Sequence, residues 1–279
     1  MRRRTTGWLE SPDVQPILSR LGVTGSLRRE LEALLAEAPP DASSELLRDL
    51  IVERNVAGKA SKAQRLQVWW RLKLRYVLDP AVAEYRAFRV ALDATANQEE
   101  RGLLDLLMFA RTDRLFREAT QQCISPWLYG PEVTVDPDEV HTAIRSIAEA
   151  HGQKWSSTTL LRSRGHLLSS LKDFGVLRGR ASKRTTRPRP GVQVALFAAR
   201  LARLEGLTDR QLLEARWFKL LGLDRAQVAD LLYTAARAGA LRFRMQADVV
   251  ELDLPPLEAA STDHTFRCIH PEVPHAAAR

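Results

Sequence analysis

The spacing of apolar residues along the chain predicts a protein built mainly from α-helices. Leucines recur at intervals of three and four residues, which is the period of one helix face. The pattern is interrupted by polar, glycine-containing or proline-containing stretches, which end helices. In the first half, with Ser26 and Ser61 as predicted capping residues, the helices are expected at about 27–37, 44–54, 62–78, 81–95 and 98–123.

The predicted helix at 98–123 is apolar around much of its circumference. A helix of this kind belongs in the middle of a bundle, because no side of it can face water favourably. Its acidic start, Glu99 and Glu100, suits the positive end of the helix dipole. Its large apolar residues are Leu103, Leu104, Leu106, Leu107, Phe109, Leu115 and Phe116.

Two further helices are predicted in the middle of the chain. The first starts at Asp136-Pro137-Asp138-Glu139, with a capping Asp and a first-turn Pro, and reaches about His151. The second spans about 157–174. Its predicted buried side consists of Leu160, Leu161, Leu167, Leu168, Leu171 and Phe174. Val176 and Leu177 then begin an extended stretch, and residues 179–191 lack periodicity, so they are predicted as a basic linker or loop.

The C-terminal part shows a clear order of elements. A helix at 192–204 precedes one that starts at a capping box of Thr208 and Gln211 and ends near Gly222. A third helix, capped by Asp224, ends at Gly239, and two extended runs follow. Three helices followed by a two-stranded hairpin form the element order of a winged helix.

These patterns predict a mainly α, multi-helical fold with helix-turn-helix or winged-helix units and small two-stranded β wings. The predicted division is an N-terminal extension (1–25), a three-helix basic unit (26–78), a bundle core (79–135), a winged-helix-like basic unit (136–182), a basic linker (183–191), a C-terminal winged-helix unit (192–256) and a tail (257–279).

Composition narrows the class of protein. The 279 residues are 45% apolar and 27% charged, which are globular values that exclude a disordered or fibrous chain. Two cysteines exclude a disulfide scaffold and indicate a reducing compartment. No apolar run reaches the roughly 18 residues that a membrane helix needs. We therefore expect a soluble, cytoplasmic protein that does not bind membranes.

The net charge of +8 is concentrated in one short window. Residues 153–190 carry ten basic side chains and one acidic side chain, Asp173. Residues 1–152 carry 21 basic and 22 acidic side chains, and residues 191–279 carry eleven of each. Charge concentrated in this way favours a polyanionic partner over a merely solvated surface, which is the alternative explanation.

Within this window, the start of the 157–174 helix and the residues after it form the first candidate DNA-binding set. Free backbone N–H groups at a helix start can also bind phosphates. The set comprises Thr158, Thr159, Arg162, Arg164, Lys172, Arg178, Arg180, Lys183 and Arg184. The segment 187–191 is either a plain linker or an arginine arm for a minor groove.

A second basic run without acids spans 54–75. A recognition helix would place phosphate-contacting residues in such first turns. The candidates are Lys59, Ser61, Lys62, Arg65, Arg71 and Lys73. Trp69 and Trp70 cannot share one helix face, so one is predicted in the core and the other at its boundary, with base stacking as the alternative.

The C-terminal unit is neutral, which argues against strong phosphate binding. DNA contact and protein contact both remain open for its exposed candidates, which are Arg225, Gln227, Thr234, Arg237, Arg242 and Arg244.

Catalytic motifs are absent from the sequence: there is no phosphate-binding glycine loop, nucleophile elbow or HExxH helix. We therefore expect no enzyme activity, cofactor, metal or small-molecule substrate. His264, Cys268, His270 and His275 match no zinc spacing. Cys123 is predicted to be a small buried residue.

With these residues in view, the chain resembles the BrxA family of the BREX (bacteriophage exclusion) defence systems. The resemblance lies in VERNVAGKASKAQRLQVWWRLKLRYVL (52–78), the apolar helix near 103–123 and KWSSTTLLRSRGHLLSSLKDFGVL (154–177). It covers about residues 26–182, so it implies no role for the C-terminal unit. It implies a small helical double-stranded-DNA-binding component, encoded with a methyltransferase, an ATPase and a phosphatase-like protein.

Two functions are therefore expected. The first is non-enzymatic binding of double-stranded DNA in phage defence, mainly through the phosphate backbone. The alternative is a protein–protein adaptor that assembles the defence complex, with the basic strip docking an acidic partner. RNA binding is disfavoured because aromatic residues make up 6% of the chain and no stacking platform is evident.

Overall fold

The computed structural model describes residue 13 and residues 15–247 and 249–256, and within them the fold is mainly α-helical. The helices of the first half are α1 (Arg28–Glu37), α2 (Ser44–Val52), α3 (Lys62–Tyr76), α4 (Ala83–Asp93), α5 (Gln98–Thr112) and α6 (Arg114–Cys123). Those of the second half are α7 (Pro137–Ala150), α8 (Ser157–Asp173), α9 (Val192–Leu204), α10 (Asp209–Leu212), α11 (Arg216–Leu220) and α12 (Arg225–Arg237). None of the described helices is long and apolar enough to cross a membrane.

Helix α5 lies in the centre of the bundle, as its apolar circumference predicts. It packs against α3, α4, α6 and α9. The Phe109 ring is 4.5 Å from the Phe116 ring and 5.6 Å from the Phe174 ring, measured between centroids. A Cβ on Gly102 would lie 2.8 Å from the Phe174 carbonyl oxygen, so α5 approaches the end of α8 closely.

The prediction of one helix over 98–123 is wrong, because the helix breaks at Asp113. This residue ends α5 and caps α6, where its carboxylate accepts a hydrogen bond from the Phe116 amide at 3.0 Å. The same carboxylate forms a buried ion pair with Arg75 at 3.3 Å. The apolar pattern continues across the break because both helices are buried in the same core.

The prediction that Ser26 caps the first helix is also wrong. Leu27 occupies the cap position with a φ of 54°. The Ser26 hydroxyl instead donates a hydrogen bond to the Asp173 carboxylate at 2.5 Å, and the Ser26 carbonyl accepts one from the Tyr76 hydroxyl at 2.7 Å. The Ser26 hydroxyl oxygen also accepts a hydrogen bond from the Arg28 amide at 3.4 Å, so Ser26 contacts the start of α1 from the position before the cap.

A three-stranded antiparallel sheet forms from β1 (Thr134–Val135), β2 (Leu177–Arg178) and β3 (Lys183–Thr185), with β3 in the centre. The prediction of an irregular linker is thus wrong at 183–185, where β3 forms a two-stranded hairpin with β2 and also pairs with β1 on its other side. The strand carries no apolar alternation. Pairing with residues 133–135 holds it in place, including a bond from the Val133 amide to the Thr185 hydroxyl at 3.0 Å.

The C-terminal part ends in an antiparallel hairpin of β4 (Arg242–Gln246) and β5 (Val249–Asp253). The helix predicted between Thr208 and Gly222 is divided into α10 and α11. Helix α9 is buried on most of its circumference and packs against α4 and α5 as well as α11 and α12. The C-terminal part therefore shares its first helix with the core of the bundle.

Candidate nucleic-acid interface

The N-terminal end of α8 is exposed and regularly capped. The Ser156 hydroxyl accepts a hydrogen bond from the Thr159 amide at 3.2 Å, which leaves Ser157 and Thr158 facing solvent. The solvent-facing residues of α8 include Thr158, Leu161, Arg162, Gly165 and Lys172. Leu161 was predicted on the buried side, but it is 48% exposed. The exposed face thus combines two cations with a threonine and an aliphatic side chain.

The opposite face of α8 packs against residues 19–25, a contact that sequence reasoning missed. His166 Nδ1 lies 2.7 Å from the Leu21 carbonyl oxygen. Added Cβ atoms on Gly22 and Gly25 would lie 3.1 Å and 3.3 Å from the hydroxyls of Ser163 and Ser170, both of which are buried. The small glycine and serine residues on the two sides allow this close approach. Their spacing in the sequence was the signal that could have predicted the contact. Thr159 also faces this side, with its methyl group against Gly22.

The hairpin of β2 and β3 brings the other basic candidates together. Arg178 and Arg184 are direct cross-strand partners, and both are exposed. Arg180 lies exposed in the connecting turn, where its carbonyl oxygen accepts a hydrogen bond from Lys183 Nζ. Like charges directly opposite each other destabilise a strand pair. A polyanion bound at this hairpin would relieve that repulsion.

Some members of this set have acidic partners within the protein. Arg164 forms an ion pair with Asp138 at the start of α7, at 3.0 Å, and Arg178 forms one with Glu132. Within the described part of the chain, no ion pair is found for four exposed members of the set. These four are Arg162, Lys172, Arg180 and Arg184.

The candidates around α3 are more strongly neutralised. Ser61 caps α3 in a capping box with Gln64, as its predicted role requires. Lys59 Nζ lies 2.6 Å from a Glu30 carboxylate oxygen, and Lys62 Nζ lies 3.1 Å from one of Glu53. Arg65 donates to the Glu53 carbonyl at 3.3 Å. The run contains no acids in sequence, but α1 and the end of α2 bring acids to it.

The second half of α3 presents its remaining candidates beside a tryptophan pair. Trp69 is 3% exposed and Trp70 is 60% exposed, which confirms that one lies in the core and the other outside it. Lys73 Nζ lies 5.7 Å from the centroid of the Trp69 ring. Arg71 is half-buried on the same helix.

The arginines of the C-terminal hairpin face acids. Arg242 is the cross-strand partner of Asp253, and Arg244 is the partner of Glu251. On α12, Arg225 forms an ion pair with Glu214 at 3.3 Å. An acidic residue therefore lies beside each of these three arginines. Of its other candidates, Gln227 completes the cap of α12, and Arg237 donates to the Thr234 hydroxyl.

The Arg28 side chain and the buried Asp105 carboxyl group link α1, α5 and the end of α8. Arg28 Nε lies 3.1 Å from a carboxylate oxygen of Asp105, and its guanidinium also donates to the carbonyl groups of Asp173 and Gln98. Burial raises the pKa of Asp105 to about 7, although Arg28 opposes the shift. This arrangement fixes α8 relative to the centre of the bundle.

Within the described residues, no three His, Cys, Asp or Glu side chains form a possible metal site. The tail residues His264, Cys268, His270 and His275 lie outside the described part of the chain. Cys123 is half-buried, and burial raises the pKa of its thiol to about 11.

Comparison with known proteins places the chain in a family. A family model described as BrxA matches residues 22–200. No curated protein and no solved structure matches the chain. The matched region runs from the segment against α8 through the three-stranded sheet and into α9, beyond the end near residue 182 that the resemblance indicated. Because this region is more than half of the sequence, the chain belongs to the BrxA family.

Proposed function

We propose that this protein is a non-enzymatic double-stranded-DNA-binding component of a BREX phage-defence system. Membership of the BrxA family supports the assignment to phage defence. The set of uncompensated cations on α8 and its hairpin supports DNA as the ligand. The methyltransferase, ATPase and phosphatase-like protein of such systems are its proposed partners, and the cytoplasm is its proposed location.

The topology of residues 114–185 supports a winged-helix assignment for this unit. The element order is α6, β1, α7, α8, β2 and β3, and β3 pairs with both other strands. In a winged helix of this order, the helix in the position of α8 enters the major groove, and the hairpin contacts the backbone. Thr158, Leu161 and Arg162 would then face base edges, where an aliphatic side chain suits a thymine methyl group.

The observation that carries this proposal is the exposed Arg178–Arg184 pair beside the solvent-facing cations of α8. The fold keeps two arginines directly opposite each other without neutralising both of them. Phosphate groups are the natural counter-charges for such an arrangement, because guanidinium groups bind them in a bidentate manner. Binding should be mostly to the backbone, since few side chains on this face suit base recognition.

A salt titration with matched variants tests the proposal. The affinity for a short duplex is measured by fluorescence anisotropy between about 50 and 200 mM salt, a range in which phosphate contacts dominate. The combined change Arg162→Gln, Lys172→Gln and Arg184→Gln should reduce the slope of log affinity against log salt by about 0.9 per lost contact. The matched control is Arg237→Gln, Arg242→Gln and Arg244→Gln, which should leave the slope unchanged.

Two results would contradict the proposal. The first is a slope near zero for the unaltered protein. The second is an equal loss of affinity in the two variants, which would show that the cations of α8 and its hairpin contribute no more than those of the C-terminal unit.

A further inference from the structure

The exposed side of α3 carries an apolar stripe that no described element covers. Leu66, Trp70 and Leu74 lie at positions i, i+4 and i+8, which share one helix face. Trp70 is 60% exposed and Leu74 is 49% exposed, while Leu66 is half-buried at the edge of the core. The buried side of α3 is already complete, since Trp69 and Leu72 fill it. Within the described part of the chain, Trp70 and Leu74 are therefore left largely uncovered.

Cations border the stripe on both sides. Arg71 lies on one side of it, and Lys73 lies on the other, where its Nζ is 3.5 Å from the Ser44 hydroxyl of α2. Arg48 is exposed one turn further along α2. Glu45 lies near Lys73, and α3 itself contains no acidic residue. Among the described residues, Arg48 and Arg71 have no ion-pair partner.

We propose that this face binds a helical segment of a partner protein that carries apolar residues on one side and acidic residues along its edges. An exposed tryptophan flanked by arginine is the composition of an interface hot spot. Laying the apolar face of a helix against an apolar surface is a common mode of peptide recognition. The bordering cations select acidic flanks, because opposite charges steer and orient the partner.

A protein partner fits this face better than a nucleic acid. Leu66 and Leu74 offer neither a hydrogen bond nor an aromatic surface, so Trp70 alone would stack a base. The cations near the start of α3, Lys59 and Lys62, are already paired with acids. This proposal uses residues separate from α8 and its hairpin, so it stands whether or not those bind DNA.

Designed peptides provide the test on the full chain. Two fluorescent helical peptides share leucines at i, i+3, i+4 and i+7; the first carries glutamate at the remaining positions, and the second carries lysine. The glutamate peptide should bind saturably and at least about tenfold more tightly than the lysine peptide. The combined change Trp70→Ser and Leu74→Ser should weaken its binding by about 30-fold.

The matched control is Trp127→Ser, because Trp127 is a similarly exposed tryptophan, 46% exposed, outside α3. This variant should bind the glutamate peptide as the unaltered chain does. Both variants should unfold within a few degrees of the unaltered chain, because about half of each replaced residue already lies in solvent.

Several outcomes would overturn the proposal. Absence of glutamate-peptide binding, equal binding of both peptides, or full binding by the Trp70→Ser and Leu74→Ser variant would each reject it. A loss of duplex affinity in that variant would assign the face to DNA instead. Concentration-dependent dimerisation that disappears in the variant would assign it to a second copy of the chain.

Discussion

The two hairpins in the described part of the chain use arginine in opposite ways. Each follows a capped helix with buried leucines, and each has two exposed arginines on its strands. In the hairpin of β4 and β5, Arg242 and Arg244 each face an acidic residue across the strands. In the hairpin of β2 and β3, Arg178 faces Arg184. The hairpin of β4 and β5 thus sets each arginine opposite an acid, whereas the hairpin of β2 and β3 sets two arginines opposite each other, and no described acid forms an ion pair with Arg184.

The same contrast separates α3 from α8. Both helices begin behind a capping serine, and both carry several basic residues. The lysines at the start of α3 are paired with Glu30 and Glu53, whereas Arg162 and Lys172 on α8 face solvent. A count of basic residues therefore does not identify an anion-binding surface. What matters is which acids the fold brings to each cation.

The helices that precede the two hairpins, α8 and α12, should be anchored in the core to a similar degree. Leu171 in α8 and Leu232 in α12 are fully buried, so Leu171→Ala and Leu232→Ala should each lower the free energy of unfolding by about 2–5 kcal/mol. Denaturant unfolding measures this. A loss below about 1 kcal/mol at either position would mean that the hairpins differ in anchoring as well as in charge.

An acid placed in the hairpin of β2 and β3 should weaken the proposed DNA binding. Arg184→Glu places a carboxylate opposite Arg178, so duplex affinity should fall on the order of 100-fold at about 0.1 M salt, because a phosphate contact is replaced by repulsion. Stability should rise by about 0.2–1 kcal/mol. Anisotropy and thermal unfolding measure the two effects, and Arg184→Gln should give intermediate values. Unchanged affinity would contradict the role of this hairpin.

The carboxyl group of Asp105, which Arg28 links to the end of α8, should titrate near neutral pH. Burial raises the pKa of Asp105 from its ordinary value of 3.8 to about 7, so the folded chain holds a proton that the unfolded chain releases. The free energy of unfolding should therefore fall as pH rises from about 4 to 7, by at most about 1.4 kcal/mol per pH unit from this group.

Urea unfolding across this pH range tests that expectation. Asp105→Asn removes the ionisable group, and its profile should lack this part of the decline. Identical pH profiles for the two proteins would show that Asp105 does not titrate in this range.

Removing the acidic residues from the hairpin of β4 and β5 should have the smallest effect. Glu251→Gln with Asp253→Asn removes the acids opposite Arg244 and Arg242, so duplex affinity should rise on the order of threefold to tenfold, with a steeper salt dependence. Anisotropy at low and high salt measures this. If removing these two acids raised duplex affinity by as large a factor as Arg184→Glu lowers it, unpaired charge alone would account for binding. The topology around α8 would then contribute nothing.

Local signals in the sequence were reliable guides to helix starts. Ser61, Asp136, Thr208 and Asp224 all cap helices as predicted. These caps bond to amides two or three residues away, so a short window of sequence contains everything they need. Ser26 is not the cap of α1, because Leu27 occupies that position in a left-handed conformation, while the Ser26 hydroxyl donates to Asp173 on the distant helix α8.

The features that the sequence did not predict share a different cause. Strand β3 has no apolar alternation, and its pairing partners in β1 lie about fifty residues earlier in the chain. Leu161 satisfies the helical period but lies on the exposed face of α8. The Arg178–Glu132 pair spans 46 residues, and the Lys59–Glu30 pair spans 29. A short stretch of sequence does not reveal any of these features, because they depend on residues that are distant in the chain.

The sequence by itself determined the helical class, most helix starts, the split of the tryptophan pair and the position of the basic window. Helical hydrogen bonds and caps join residues a few positions apart, so local chemistry suffices for them. Only the tertiary structure decided the third strand of the wing, the docking of residues 19–25 on α8, and which cations remain without acids. Strand pairs and ion pairs join residues that are distant in the chain, and the packing of the whole core decides which of them meet.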